Sequence, residues 1–256
     1  MNQLKDSQNR APDESLCSLL VSFNFLFFTC LLAGLLILPL KSLFVGSHAE
    51  HEEATTEAVH AATGDTEAIA APAGKAAYMI CSSCHGPDGE GNQAMNAPAI
   101  AGQEDWYLKR QIHKFKDGLR GTHPEDIYGM QMRPMAMTLA DDAKIDEVVA
   151  YISSLPATHP EPTLDGDVAK GKAAYMLCQA CHGAEAEGNQ AMNAPGLTGL
   201  PDWYIVTQLK HFKHGVRGAD PKDIEGMQMA PMSKTIADEQ AMKDLAAYIN
   251  SLGAAK

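Results

Sequence analysis

Two short stretches of the 256-residue chain place reactive side chains in one spacing: Cys81-Ser-Ser-Cys84-His85 and Cys178-Gln-Ala-Cys181-His182. Both read C-x-x-C-H, the attachment signature for c-type haem. The spacing has a chemical reason. Two thiolates add to the two vinyl groups on one edge of a porphyrin, and the adjacent imidazole turns onto the iron; one helical turn across the motif puts all three groups on the same side. Other chemistries use paired cysteines, but they need other surroundings. A thioredoxin-like pair follows a strand in a βαβ unit, and a zinc site needs two further Cys or His ligands per domain. Neither context is present in the sequence. The motifs therefore imply two covalently bound haem c groups, held by Cys81 and Cys84 and by Cys178 and Cys181, with His85 and His182 on the irons. The remaining cysteines, Cys17 and Cys30, lie in an apolar run and read as small membrane hydrophobes.

The elements that position these groups are repeated. Residues 74–155 align without a gap with 171–252 at a constant offset of 97, and 46 of the 82 positions are identical. Gly91 through Pro98 recurs unchanged as Gly188 through Pro195, and Gly129-Met-Gln-Met132 recurs as Gly226-Met-Gln-Met229. Within each unit the periodicity is helical. Trp106, Leu108, Ile112 and Phe115 fall near one face, as do Ile145, Val148, Val149 and Ile152 behind an acidic start at Asp141. No convincing alternating strand is found. The fold class expected is all-α: two tandem domains, 73–156 and 170–256, joined by a Pro-bearing linker at 157–169.

A sixth iron ligand should recur at equivalent positions. No distal histidine does, because His113 aligns with Lys210, His123 with Asp220 and His214 with Asp117. The shared candidates are Met95/Met192, Met130/Met227, Met132/Met229 and Met135/Met232. Most methionines are core filler, and the residues alone leave the choice among these pairs open.

These motifs resemble class I cytochromes c, and their tandem arrangement resembles the dihaem cytochrome c4 family, over about 165 of the 256 residues. In that family the axial methionine lies in an M-x-x-M-x-x-x-(apolar)-x-D stretch. This chain has Met132-Arg-Pro-Met135-Ala-Met-Thr-Leu139-Ala-Asp141 and Met229-Ala-Pro-Met232-Ser-Lys-Thr-Ile236-Ala-Asp238. The resemblance assigns Met132 and Met229 to the irons, with Met135 and Met232 as alternatives. It also implies that the carbonyls of Pro98 and Pro195 receive the Nδ1–H of the proximal histidines, fixing their tautomer. Gly74 and Tyr78 with Tyr151, and Gly171 and Tyr175 with Tyr248, match the crossing of N- and C-terminal helices. For Trp106, Tyr107 and Arg120 and their counterparts Trp203, Tyr204 and Arg217, a haem-propionate contact and a plain core or surface role both stay open. The chain departs from the family at Ala140 and Ala237, where a serine usually precedes the capping aspartate; this puts the helix cap in question.

Composition bounds the function. Lys+Arg 20 against Asp+Glu 32 gives −12, which argues against nucleic acid as a partner. The acidity is uneven: residues 49–73 carry six acids and no Lys or Arg, as a flexible tether would. Leu16 to Leu40 is 25 residues without a charge, long enough to span a ~30 Å hydrocarbon core. The segments expected are a cytoplasmic tail at 1–15, a membrane anchor region at 16–46 and an acidic tether at 47–72. Lys5 and Arg10 before the span place the haem domains on the periplasmic face of a bacterial inner membrane. The alternative is a cleaved signal peptide with Ser47-His48-Ala49 as its site.

His/Met ligation leaves no open iron position, so the expected activity is single-electron transfer without a small-molecule substrate. The resemblance implies respiratory partners: a quinol-oxidising complex as donor and a terminal oxidase as acceptor. One alternative is a fixed electron-transfer subunit of an oxidase or dehydrogenase. A dihaem peroxidase-type enzyme is another, and the matched methionines count against it.

Overall fold

The computed structural model describes residues 64–253. The expected tail at 1–15, the membrane region at 16–46 and the tether up to residue 63 lie outside the described residues. No helix among the described residues is long and apolar enough to cross a membrane.

The first domain is built from α1 (Gly64–His85), α2 (Asp105–Lys116), α3 (Ile127–Met137) and α4 (Asp142–Ser153), with a single 3₁₀ turn at Gln93–Met95. The second repeats this as α5 (Val168–Tyr175), α6 (Gln179–His182), a 3₁₀ turn at Gln190–Met192, α7 (Asp202–His214), α8 (Ile224–Lys234) and α9 (Glu239–Gly253). The described residues are all-α apart from two isolated bridges, Asn92 to Ala97 and Asn189 to Ala194. Helix α1 begins at Gly64, inside the span whose composition reads as tether. The alanines at 68, 70, 71 and 73 favour a helix there.

The first and last helices of each domain cross closely because a glycine sits at the crossing. A Cβ on Gly74 would meet the carbonyl of Glu147 and approach Tyr151 Cβ to 2.9 Å; on Gly171 it would meet the carbonyl of Asp244 and approach Tyr248 Cβ to 2.8 Å. The space beside each glycine takes an aromatic pair, Tyr78 with Tyr151 at 5.2 Å between centroids and Tyr175 with Tyr248 at 5.4 Å. Helix α4 starts on Asp141, whose side chain accepts from Lys144 N at 2.9 Å, and α9 starts on Asp238, which accepts from Ala241 N at 2.9 Å. The alanines that replace the family's serine therefore leave the cap intact, because the aspartate itself supplies the acceptor.

Each domain has its own hydrophobic core. Ile145, Val148, Val149 and Ile152 of α4 are buried against Leu108, Ile112 and Phe115 of α2, and Leu245, Ala246 and Ile249 of α9 against Ile205, Val206 and Leu209 of α7. Burying each of the Val, Leu, Ile and Phe side chains contributes roughly 1.5–3 kcal/mol. The linker between the domains is pinned: Asp202, 1% exposed, accepts from Thr163 N and Leu164 N at 2.6 Å each and from Thr163 Oγ1 at 2.9 Å.

Candidate functional site: two clefts with a shared wall

Each domain opens on an apolar cleft floored by its C-x-x-C-H turn. Cys81, Cys84 and His85 line the first, and Cys178, Cys181 and His182 the second. The four cysteines are free thiols. His85 is the last residue of α1, and Gly86 ends the helix at φ +84, a left-handed conformation that glycine adopts without strain. The Tyr78 hydroxyl donates to the Gly86 carbonyl at 2.7 Å, and Tyr175 does the same to Gly183 at 2.8 Å, so the turn that presents each histidine is held from the helix crossing.

The histidine rings are fixed on their other side as well. Nδ1 of His85 lies 2.8 Å from the Pro98 carbonyl oxygen, and Nδ1 of His182 lies 2.8 Å from that of Pro195. A carbonyl only accepts, so Nδ1 carries the proton and Nε2 keeps a free lone pair. Burial pushes both rings well below the usual imidazole range, with the proline carbonyls opposing it, which keeps them neutral. A neutral, oriented imidazole is the form that ligates a metal.

Each cleft is also lined by a methionine-bearing helix, α3 in the first domain and α8 in the second. Met132 and Met135 line the first cleft and Met229 and Met232 the second; Met95 and Met192 also line them, whereas Met130 and Met227 do not. Met132 and Met229 pack on the hydrophobic cores, while Met135 and Met232 are exposed. Two buried aspartates set where these helices begin. Asp126 accepts from Gly129 N at 3.0 Å and from Gly121 N at 3.3 Å, and Asp223 accepts from Gly226 N at 3.1 Å. Sequence reasoning passed over this pair. The repeated Asp-Ile-x-Gly at 126–129 and 223–226 was the available signal.

The clefts share a wall. Tyr107, Gln111, Leu200, Tyr204 and Gln208 line both, so α2 and α7 each serve the neighbouring domain's cleft as well as their own. Two buried arginines complete this wall. Arg120 donates to Gln111 Oε1 at 2.9 Å and Arg217 to Gln208 Oε1 at 2.8 Å; Arg217 also donates to Gln111 Oε1 at 2.8 Å and to the Tyr107 hydroxyl at 3.4 Å. Each lies over a phenylalanine ring, Phe115 at 4.4 Å and Phe212 at 4.5 Å. Neither forms an ion pair among the described residues, and the Nε of each is buried without a partner. Burial raises the pKa of the Tyr107 hydroxyl, yet the guanidiniums of Arg217 and Arg120 outweigh it and hold the group below its ordinary value. The wall thus carries positive charge in want of an anion.

Two thiols, a neutral imidazole, a thioether and a cationic wall line a space bounded largely by apolar side chains. Haem has complementary parts: vinyl groups, an iron, a flat apolar body and two propionates. The fold and the two sites define a dihaem c-type cytochrome. The profile of the family described as Cytochrome c matches residues 71–156 and 168–253, and the chain belongs to that family. It is 33% identical to cytochrome c4 of Azotobacter vinelandii, over 71% of this chain and 89% of that one, and is a cytochrome c4-like electron carrier. It is 29% identical to a thiosulfate dehydrogenase electron acceptor of Stutzerimonas stutzeri (strain A1501), over 69% and 81% of the two chains. A Cbb3-type cytochrome c oxidase subunit FixP of Sinorhizobium medicae is 27% identical over 72% of this chain but only 61% of its own. Among solved structures, reduced recombinant cytochrome c4 from Pseudomonas stutzeri superposes with a TM-score of 0.54 at 26% identity, covering 70% of this chain and 97% of that one.

Proposed function

We propose that this carrier is tethered to a bacterial inner membrane by residues 16–46 and passes single electrons from a quinol-oxidising complex to a terminal oxidase on the periplasmic face. The charge-free run from Leu16 to Leu40 supports the tether. The likeness to an oxidase subunit supports the acceptor. A tether raises the effective concentration of both haem domains at membrane partners. The second reading, a fixed subunit of an oxidase or dehydrogenase complex, is favoured by that same relative being named a subunit.

Within each domain the residues divide the work. Cys81 and Cys84, and Cys178 and Cys181, would hold the two haems through thioether bonds. His85 and His182 would ligate iron through Nε2, with Pro98 and Pro195 keeping the proton on Nδ1. Met132 and Met229 would fill the sixth position, and Arg120 and Arg217 would take propionates on the shared wall. When bound, each group supplies a one-electron ferric/ferrous couple whose potential methionine ligation raises. With haem bound, the apolar lining of each cleft would limit the access of water, and a histidine and a methionine together would leave the iron no open position.

The observation that carries this reading is that both domains bring the same set to one cleft: two free thiols, a histidine held through Nδ1, and a methionine-bearing helix. The oxidised holoprotein should show the near-infrared methionine-to-iron band from both domains. Met132→Ala should abolish the first domain's share and leave the second intact. If Met132→Ala keeps the full band and Met135→Ala loses half of it, the ligand is Met135. Loss of the band in the unaltered protein, or peroxidase turnover, refutes the carrier chemistry. Isolation from membranes in mild detergent separates the tethered carrier from the fixed subunit, which would come with a stoichiometric partner.

A further inference from the structure

The two haem clefts differ where each is walled by the other domain. Helix α2 of the first domain brings Arg110 and Lys114 to the second cleft, and α7 of the second domain brings Thr207 and His211 to the first. These are equivalent positions of the repeat, each 97 residues apart. Their acidic partners are also equivalent. Lys114 is bonded to the buried Asp223 and, at 2.8 Å, to Glu225; His211 Nδ1 stands 3.9 Å from Oδ1 of Asp126. One cleft thus has a fixed ammonium at the place where the other has an imidazole.

We propose that His211 is a proton-binding site coupled to the oxidation state of the haem in the first cleft, and that Lys114 leaves the haem in the second cleft uncoupled. The inference rests on the reading of the first cleft as a haem site with a closed iron.

The groups that face His211 come from three places. Asp126 heads α3, Arg120 and His123 lie between α2 and α3, and Arg217 follows α7. Burial is the strongest influence and lowers the affinity of the ring for a proton. Asp126 opposes it, while Arg120, Arg217 and His123 add to it. The net effect holds the ring below the usual imidazole range, so at neutral pH it is neutral and its second nitrogen can take a proton. With haem bound, an electron delivered by a redox partner would remove one positive charge from the first cleft. A proton from water then binds His211 more readily, converting imidazole to imidazolium. Oxidation reverses both changes. In a partly buried setting such a charge pair interacts far more strongly than in water. At the second cleft Lys114 is engaged by Asp223 and Glu225 and no imidazole stands in its place, so reduction there takes up no proton.

The test uses the full-chain holoprotein. The potentials of the two haems are measured separately, each haem being followed by its own NMR methyl resonances, from about pH 5 to about pH 8. The first haem should lose potential as pH rises, while the second stays flat. A proton affinity on the order of tenfold higher in the reduced state corresponds to a total fall of about 59 mV. In His211→Gln the first haem should be flat at the wild-type high-pH value. In His211→Lys, which copies the Lys114–Asp223 pairing onto Asp126, it should be flat at or above the wild-type low-pH value. A wild-type slope surviving in His211→Gln assigns the proton to a propionate and overturns the proposal, as does a flat first haem or an equal slope in both. The near-infrared band is recorded alongside. Its absence in the wild type refutes the haem-ligation reading, whereas its presence with a flat first haem refutes only the role of His211.

Discussion

Removing the charge of Lys114 should separate the two domains energetically more than any other single change at their interface. Its side chain is 8% exposed and that of its partner Asp223 is 0% exposed. In Lys114→Met the apolar stem remains, but Asp223 keeps only the Gly226 N–H at 3.1 Å, and its Oδ2 already has no partner. Removing one member of a buried pair costs about 3–5 kcal/mol, because the other charge is left desolvated. The bond to Glu225 adds little, since that carboxylate is 29% exposed and an ion pair of that kind is worth at most about 1 kcal/mol. A loss of about 3 kcal/mol in a domain of this size lowers the midpoint of thermal unfolding by roughly 12–24 °C. The assay is thermal unfolding of the holoprotein by circular dichroism, with Asp223→Asn and the double variant completing a cycle. The double variant should recover much of the loss, because neither charge is then stranded. A Lys114→Met protein within about 1 kcal/mol of wild type, or strictly additive single effects, would refute the claim that this pair holds the interface.

Two further expectations follow from other contacts. In Gly171→Ala, a helix-propensity gain of about 1 kcal/mol meets the backbone carbonyl of Asp244, which cannot move as a side chain can. Overpacking costs up to about 3 kcal/mol, so the second domain should melt several degrees lower; a higher midpoint would show that α5 and α9 slide apart freely. Burial raises the Glu225 pKa, but the hydrogen bond and charge of Lys114, a backbone hydrogen bond and the charge of Arg110 together outweigh it and hold the group below its ordinary value of 4.5. Its contribution is therefore complete above pH 4.5 and is lost as pH falls through the depressed folded value. The thermal advantage of wild type over Glu225→Gln should be constant near neutrality and vanish in acid; an advantage that grows in acid reverses the sign of the argument.

What the sequence shows and what it hides follow from chain separation. The C-x-x-C-H turns are local, and the repeat displays them twice, so the covalent haems and the all-α domains could be read directly. The helix crossing was legible only through the family resemblance, which matched Gly74 and Tyr78 with Tyr151, and Gly171 and Tyr175 with Tyr248, to it. The shared wall was not legible. Arg217 and Gln111 are 106 residues apart, and Lys114 and Asp223 109, and no pattern in either segment announces the other. Asp126 and Asp223 were passed over because their burial comes from packing between elements, not from their neighbours in sequence. Met132 and Met135 both line the first cleft, so the fold alone does not separate what the sequence left as alternatives.

The cross-contacts at the shared wall are reciprocal. Arg120 and Arg217 each reach the glutamine of their own domain and the tyrosine of the other, at 3.5 Å to Tyr204 and 3.4 Å to Tyr107. That is the geometry of an isologous dimer, in which every residue meets its own symmetry mate's neighbourhood. In a true homodimer one codon sets both copies of such a residue, so both cofactor environments must change together. Fusing the two copies in one polypeptide removes that constraint. Each half can vary alone while the packing stays symmetric, and the Lys114/His211 and Arg110/Thr207 differences fall on the wall where one half's substitution is felt by the other half's cofactor.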